Sequence, residues 1–474
     1  MKRAVMRGIA LSWLSLAALV ATSALAQPAI PDTPAGKVLD AWLSALNTAD
    51  QARMEDVLKT YHMDGTAERL MDFAHQTGGF TLLRVEQSTP NALTVIVGER
   101  NGDNIARGVA TLTTDAMGQV VKGGIQLRII PREGEFAIAR LTQAEALKAV
   151  ADRAKTLASD DKFSGAYLIA QDGKILAAKA YGWSDREAKV PATLETKFRM
   201  GSMNKMFTAV AILQLIEAGK ISLDGTVGTY LPDYPNREIA SKVTIRELLT
   251  HTGGTGDFFG PLFDANRLKL KTHADYMALY GARAPLFEPG SKDAYSNYGF
   301  LLLGNIIEKV SGVSYYDYVA EHVFAPAGMT NTASLPEDQF VSGRAIPYTY
   351  KKDGWVSAAG TLPYRGTSAG GGYTTVGDLL KFAQALQNGK ILPGRLVADA
   401  TTPHNHSGNY GYGFGVNGKG LLQSYGHNGG APGINGDLII YPALKRVVIA
   451  LSNFDPEAAG DMANFYALRM PATP

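Results

Sequence analysis

The chain has 474 residues, and its 46 basic and 44 acidic side chains give a formal net charge of +2 at pH 7. Because the charge is nearly balanced and no long block of one sign occurs, the composition argues against a nucleic-acid partner and against electrostatic binding to a membrane surface. The length predicts two or more domains, and a hydrophobic fraction of 46% is enough to form a sizeable core.

The first 26 residues have the features of a secretory signal peptide. A basic start is followed by an apolar stretch at 9–20 and by Ala24-Leu25-Ala26, an A-x-A cleavage site. The apolar stretch is shorter than the roughly 20 residues that span a bilayer, which favours cleavage before Gln27 over a membrane anchor. Cysteine is absent, so neither a disulfide nor a lipid-modified cysteine is expected. We therefore expect a periplasmic or secreted protein without a membrane span after cleavage.

Residues 27–140 predict a small α+β domain. Apolar residues recur twice at helical spacing, and strand-like runs follow at 80–86, 92–97 and 109–113. Ile125, Leu127 and Ile129 alternate with polar residues, which is typical of a half-buried strand. Helices followed by antiparallel strands favour a separate domain, and the element order resembles the cone-shaped nuclear-transport-factor-like domains. No acid–base pair in this region points to chemistry.

A second domain is predicted over residues 141–474. The capping-box pattern Thr142-x-x-Glu145 opens its first helix, and Asp172-Gly173 joins two strands into a hairpin. Apolar helices are predicted from Ser202 toward 219, at 300–310 and at 379–386, and two strands at 437–441 and 447–453 end the chain. Strands at both ends predict one antiparallel sheet that the two halves of the domain build together, with a helical insertion between them.

Ser202 and Lys205 form the most informative pair, at the start of an apolar helix. Positions i and i+3 share one helix face about 5–6 Å apart, so the lysine amine can reach the serine hydroxyl. A serine attacks poorly at neutral pH unless a base takes its proton. Lysine is such a base only when it is neutral, and we expect burial and a nearby cation to lower its pKa from about 10.4 toward about 7–8.

Three motifs occur in order: Ser202-x-x-Lys205, Tyr295-x-Asn297, and His427-Asn428-Gly429 followed by Gly430. In this order the chain from about residue 141 onward resembles the serine β-lactamase and penicillin-recognising hydrolase superfamily, specifically its class C-like branch. That branch includes D-alanyl-D-alanine carboxypeptidases, D-aminopeptidases and esterases. The resemblance implies a β-lactamase-like α/β (α+β) fold, in which an antiparallel sheet is flanked by helices.

The resemblance also implies a role for each motif residue. Ser202 would be the nucleophile that forms an acyl-enzyme, with Lys205 as its base or as the cation that tunes the base. Tyr295 would carry the proton between the nucleophile and the leaving group, and Asn297 would orient Lys205 and the substrate carbonyl. The residues leave open whether Lys205 or Tyr295 takes the proton. No cofactor and no metal ion is implied.

The third motif would supply the substrate-binding sheet edge: His427, Gly429 and Gly430. The backbone N–H groups of Ser202 and Gly430 would form an oxyanion hole, and a glycine at 430 lets a substrate approach the backbone closely. Many relatives carry lysine where this chain has His427. Because histidine has a free pKa near 6.5, we expect His427 to be only partly charged at neutral pH, which weakens recognition of a carboxylate.

The predicted function is therefore an exported serine hydrolase that acts on an ester, an amide or a D-amino-acid peptide, with a small molecule or peptide as substrate. A β-lactamase or D-alanyl-D-alanine carboxypeptidase is the alternative within this class. An alternative of another class is a non-catalytic protein that keeps the fold and binds wall peptide or a partner. The intact set Ser202, Lys205 and Tyr295 counts against it, because binding alone needs none of their chemistry.

Two further motifs have simpler explanations. Residues 366–370 match the G-x-S-x-G nucleophile elbow around Ser368, but that elbow needs a strand directly before the serine and a helix directly after it. The flanks do not predict this arrangement, so the stretch is interpreted as a glycine-rich loop. His404-Asn405-His406 resembles part of a zinc site, but no third ligand is evident and a solvated loop is favoured.

Overall fold

The computed structural model describes residues 28–101, 107–121, 123–130, 134–351 and 354–473. The predicted signal peptide at 1–26 lies outside these residues. The chain folds into two compact units, Met1–Pro131 and Arg132–Pro474. Within the described residues, no helix is both long enough and apolar enough to cross a membrane.

The first unit contains three helices followed by one antiparallel sheet. The helices are α1 (Pro34–Asn47), α2 (Gln51–Thr60) and α3 (Ala67–Thr77), and the strands are β1 (Phe80–Ser88), β2 (Ala92–Glu99), β3 (Arg107–Thr113) and β4 (Gln126–Ile129). The strands pair in the order β1-β2-β3-β4. The apolar stripe of α1, including Leu39, Trp42 and Leu46, packs with Leu93 and Val95 of β2 into the core of this unit.

One expectation for this sheet is wrong. The alternation of Ile125, Leu127 and Ile129 predicted a half-buried strand, but all four residues of β4 are exposed, and Ile129 is 83% exposed. Within the described part of the chain, β4 is an edge strand that pairs only with β3. Period-two alternation indicates which residues share a face, but it does not show whether anything packs on that face.

The helices of the second unit fall mostly between its first and last sheet strands. They are α4 (Gln143–Ser159), α5 (Asn204–Glu217), α6 (Val227–Tyr230), α7 (Arg237–Lys242), α8 (Ile245–Leu249), α9 (Pro261–Asn266), α10 (His273–Tyr280), α11 (Asn297–Ser311), α12 (Tyr315–Val319), α13 (Ala325–Ala327), α14 (Val376–Gln387), α15 (Gly394–Ala400) and α16 (Ala458–Arg469). The predicted capping box is present at α4, where the Glu145 N–H donates to Thr142 Oγ1 and the Thr142 N–H donates to the Glu145 carboxylate.

The strands of the second unit are β5 (Gly165–Gln171), β6 (Lys174–Tyr181), β7 (Trp183–Asp185), β8 (Val190–Pro191), β9 (Phe198–Arg199), β10 (Tyr348–Lys351), β11 (Gly354–Ser357), β12 (Tyr373–Thr374), β13 (Gly415–Asn417), β14 (Ser424–Ala431), β15 (Ile434–Tyr441) and β16 (Arg446–Ser452). Six of them form an antiparallel sheet in the order β13-β14-β15-β16-β5-β6. Strand β16, near the end of the chain, pairs with β5, near the start of the unit, in the register Ile449↔Leu168. The predicted closure of one sheet by both halves of the domain is confirmed.

Helix α5 lies at the centre of the second unit. Its residues from Asn204 to Leu213 are all buried, and it shares a core with α11 and with the sheet. A helix that is buried on every side cannot rotate without disturbing its neighbours. It therefore gives the residues at its N-terminus a fixed position beside β14.

The predicted domain boundary lies between residues 140 and 141, slightly later than the end of the first compact unit at Pro131. Arg140 explains the difference, because its guanidinium donates to the carbonyls of Ala467 (2.6 Å) and Met470 (3.2 Å) at the end of α16. These two hydrogen bonds join the segment just before residue 141 to the second unit.

Candidate active site

Ser202 lies on a 3-10 turn, Gly201–Met203, that leads directly into α5. The turn begins at Gly201 with φ +53°, a left-handed conformation that glycine adopts without strain. Ser202 is half-buried, whereas Lys205, one helical turn later, is completely buried. The distance from Lys205 Nζ to Ser202 Oγ is 3.2 Å, so the i,i+3 contact predicted from the sequence is present.

The amine of Lys205 has two further partners, and both are pure acceptors. Nζ donates to Asn297 Oδ1 at 2.7 Å and to the backbone carbonyl of Ala369. A neutral amine has two N–H donors and one lone pair. If the two donors go to these two oxygens, the lone pair is left facing Ser202 Oγ, which can then donate its proton.

Burial lowers the pKa of Lys205 to about 7, because the ammonium form loses its hydration inside the protein. The nearby negative charge of Asp257 opposes this shift. The sequence required a pKa near this value but invoked a neighbouring cation in addition to burial. Here desolvation is the cause, and the nearby charge acts in the opposite direction.

Asp257 also fixes the orientation of Asn297. Its carboxylate accepts a hydrogen bond from Asn297 Nδ2 at 2.8 Å. Because a carboxylate can only accept, the amide nitrogen must face Asp257 and the amide oxygen must face Lys205. Asn297 is the first residue of α11, directly after its N-cap Ser296. The start of this helix therefore positions the amide that connects Asp257 to Lys205.

Tyr295 covers the open side of the pair. The Lys205 ammonium lies 4.8 Å from the centroid of the Tyr295 ring, and the phenol is within hydrogen-bonding reach of Ser202. Loss of water around the hydroxyl raises the pKa of Tyr295 to about 12, and its hydrogen bond with Ser202 opposes the rise. The residue as a whole is still 47% exposed, so its phenol lies between the buried amine and the outside.

Strand β14 brings backbone amides close to Ser202. It pairs with β15 along its length, but β13 pairs with it only as far as Gly426. At Gly429 an added Cβ would lie 2.0 Å from the Met200 carbonyl oxygen and 3.0 Å from the Ser202 nitrogen, which explains why only glycine fits. An added Cβ at Gly201 would lie 3.1 Å from the Gly430 nitrogen, so the backbone amides of Ser202 and Gly430 lie close to the same junction.

His427 differs from the expectation. It was expected to be partly charged at neutral pH, and this is wrong: burial, with the positive charge of Lys205, lowers its pKa to about 3. The carbonyl of Asn428 can only accept, so His427 Nδ1 carries the proton, and Nε2 accepts from the Tyr410 hydroxyl at 2.9 Å. His427 is a neutral imidazole with both nitrogens bonded inside the protein.

The structure adds site residues that the sequence did not reveal: Asp257, Ala369 and Tyr410. Ala369 contributes only a carbonyl, which any residue has, and Asp257 and Tyr410 lie in no recognised motif. Ser368, beside Ala369, is completely buried in a loop that leads to β12 rather than to a helix. The interpretation of this stretch as a loop is confirmed. His404 and His406 are hydrogen-bonded to backbone carbonyls, of Asp399 and Gly290.

Comparison with known proteins defines the class. A family model described as Beta-lactamase matches residues 149–470, so the chain belongs to that family. It is a serine hydrolase with a β-lactamase-like fold.

Particular relatives agree with this family assignment. The chain is 30% identical over 331 residues to penicillin-binding protein 4* of Bacillus subtilis, covering 65% of this chain and 72% of the relative. It also resembles the solved penicillin-binding protein of Bacillus halodurans, with 33% identity, a TM-score of 0.62 and coverage of 66% and 99% of the two chains. A D-stereospecific amidohydrolase from Streptomyces gives 25% identity and a TM-score of 0.56, covering 69% of this chain and 99% of the other.

Proposed function

We propose that this protein hydrolyses ester, amide or D-amino-acid peptide bonds through an acyl-enzyme on Ser202. The observation that carries the proposal is the hydrogen bonding of Lys205. Two fixed acceptors take its N–H groups and direct its lone pair at Ser202 Oγ, 3.2 Å away. Its pKa of about 7 makes a substantial fraction of the amine neutral at physiological pH.

In acylation, Ser202 Oγ attacks the substrate carbonyl carbon while Lys205 takes the serine proton. The carbonyl oxygen becomes an anion, which the N–H groups of Ser202 and Gly430 stabilise. Donors of this kind contribute about 3–4 kcal/mol each to transition-state stability. The sequence left open whether Lys205 or Tyr295 takes the serine proton, and this proposal assigns that role to Lys205.

Tyr295 then completes the step as the proton donor. A phenol with a pKa of about 12 is a weak acid that remains protonated at pH 7. It gives its proton to the leaving atom as the bond to the carbonyl carbon breaks, and it recovers a proton from the Lys205 ammonium. In deacylation, a water molecule takes the place of the leaving group and attacks the acyl carbon. Its proton passes through Tyr295 to Lys205, and Lys205 returns a proton to Ser202 Oγ as the ester bond breaks. Asn297 holds Lys205 in place throughout.

The substrate class rests on the relatives and on the sheet edge. The names penicillin-binding protein and D-stereospecific amidohydrolase support amide and D-amino-acid substrates for this chain. From His427 onward, β14 has no strand on its outer edge among the described residues, so an extended substrate can pair with it. We also propose, from residues 1–26, that the protein is exported to the periplasm or secreted.

The test is a panel of p-nitrophenyl esters, a chromogenic cephalosporin, and D- and L-amino-acid amides. Ser202→Ala should reduce turnover of every cleaved substrate to background. Ser368→Ala is the matched control, because it removes a serine hydroxyl that is buried and lies outside the proposed chemistry. Turnover that survives Ser202→Ala, or that disappears only in Ser368→Ala, would refute the proposal. A protein without turnover or active-site labelling would instead support the binding-only alternative.

A further inference from the structure

Three successive carbonyl groups of the loop at 367–369 accept hydrogen bonds from side chains of α5. The pairs are Thr367 with Asn204 Nδ2 (2.7 Å), Ser368 with Thr208 Oγ1 (2.7 Å) and Ala369 with Lys205 Nζ. The last of these bonds occupies one N–H group of the Lys205 amine. The direction of the amine lone pair therefore depends on where this loop lies.

His273, the first residue of α10, holds the other side of this loop. The backbone N–H of Ser368 donates to His273 Nε2 at 3.1 Å. That N–H belongs to the same planar peptide unit as the Thr367 carbonyl, so this unit is hydrogen-bonded at both ends. Both Ser368 and His273 are buried, and a buried N–H that loses its acceptor is costly. The position of the loop backbone therefore depends on the acceptor that His273 provides.

Glu308 of α11 fixes the tautomer of His273. A backbone N–H can only donate, so His273 must accept from Ser368 at Nε2 and carry its proton on Nδ1. Nδ1 lies 3.0 Å from Glu308 Oε1, which also accepts from the N–H of Tyr315 at 3.1 Å. Burial opposes ionisation of Glu308, but the hydrogen bonds from His273 and Tyr315 lower its pKa. The ionised carboxylate can only accept, which keeps the proton on Nδ1 and leaves Nε2 free to accept.

We propose that His273, oriented by Glu308, is a positioning residue for the base Lys205. It acts through the backbone: it holds the N–H of Ser368, and two peptide units further on the Ala369 carbonyl accepts from Lys205 Nζ. With that carbonyl in place, the amine lone pair faces the nucleophile. With the loop displaced, the amine is free to turn away. The inference rests on the proposed function, in which Lys205 takes the serine proton.

The experiment compares His273→Met with His273→Gln by the rate constant for fluorophosphonate labelling of Ser202. It is run at about pH 8.5, above the pKa of about 7 of Lys205. The two new side chains are similar in length and both lack the imidazole, but only glutamine has an oxygen that accepts well from the Ser368 N–H. We expect His273→Met to be labelled about 10- to 100-fold more slowly than wild type, as for a displaced general base. His273→Gln should recover to within about fivefold of wild type.

The rate constant separates a positioning role from a purely structural one. Unfolded molecules reduce the final extent of labelling, whereas a misdirected Lys205 slows the labelling of folded molecules. Equal rate constants for wild type and His273→Met would overturn the inference, and so would equally slow labelling of both variants. Either result leaves the proposed function intact, because wild type is still labelled at Ser202. Absence of labelling at Ser202 in wild type would instead overturn the proposed function, and the inference with it.

A second pair of variants covers the case in which neither His273 variant folds. Glu308 has 29% of its side chain exposed, so a change there disturbs the core less. Glu308→Gln keeps an oxygen for the N–H groups of His273 and Tyr315. Glu308→Ala removes it, and His273 is then free to carry its proton on Nε2, which cannot accept from Ser368. We expect Glu308→Ala to be labelled about fivefold more slowly than Glu308→Gln, the rate equivalent of one lost hydrogen bond. Equal rate constants for these two variants would overturn the inference.

Discussion

Replacing Asp257 by asparagine should move the acid limb of the kcat/KM profile to lower pH. The carboxylate of Asp257 stabilises the ammonium form of Lys205, and the amide of Asn297 lies between them. An asparagine at 257 still offers an amide oxygen to Asn297 Nδ2, so the geometry is kept while the charge is lost. Activity requires neutral Lys205 and therefore rises with pH through its pKa of about 7.

The size of the shift follows from the distance. The two hydrogen bonds of 2.7 and 2.8 Å, with one amide group between them, place the carboxylate within about 8 Å of Nζ. At an effective dielectric constant of about 20, two unit charges at about 8 Å interact by about 2 kcal/mol. Asp257 is exposed, and water reduces the interaction to about 1 kcal/mol, which corresponds to roughly 0.7 pKa unit.

The assay is the pH dependence of kcat/KM between about pH 5 and 9 with the uncharged substrate p-nitrophenyl acetate, because kcat/KM reports the pKa values of the free enzyme. Asp152→Asn, which changes the net charge equally from an exposed position on α4, is the control. An acid limb that stays in place in Asp257→Asn, or moves to higher pH, would refute the assignment of that limb to Lys205.

Three further predictions follow from the same residues. Lys205→Met should raise the melting temperature more at pH 6.5 than at pH 9.5. The wild-type lysine has a pKa of about 7 when folded and about 10.4 when unfolded, so wild-type stability increases with pH between these values. An equal gain in melting temperature at both pH values would contradict the lowered pKa. His427→Ala should reduce the rate but leave the midpoint of the acid limb unchanged, because the imidazole is already neutral above its pKa of about 3; a shifted midpoint would show that it carries charge. A fragment of residues 134–474 should fold and hydrolyse the same substrates as the full chain, because every proposed site residue lies within it; a folded but inert fragment would show that the first unit completes the site.

Local features of the site could be predicted from the sequence. The contact of Ser202 with Lys205 follows from local helical geometry, since the two residues are only three positions apart at the start of an apolar helix. The capping box at Thr142 and the hairpin at Asp172-Gly173 are likewise short-range, and both form as expected. Contacts of this kind depend on chain geometry within a few residues, which a sequence specifies directly.

The long-range contacts could not be derived in the same way. The Asn297 amide is 92 residues from Lys205 and was found only through family resemblance, and the Ala369 carbonyl is 164 residues away and has no side-chain signal at all. The predicted charge of His427 was wrong because the pKa of the imidazole depends on burial, which is a property of the folded protein.

The most direct test of the central claim is the intact mass of the protein after reaction with a fluorophosphonate, followed by peptide mapping. Wild type should gain a single adduct, located on the peptide that contains Ser202. The Ser368→Ala variant should be labelled to the same extent, and Ser202→Ala should not be labelled at all. An adduct on any other residue, or labelling that persists in Ser202→Ala, would contradict the assignment of Ser202 as the nucleophile.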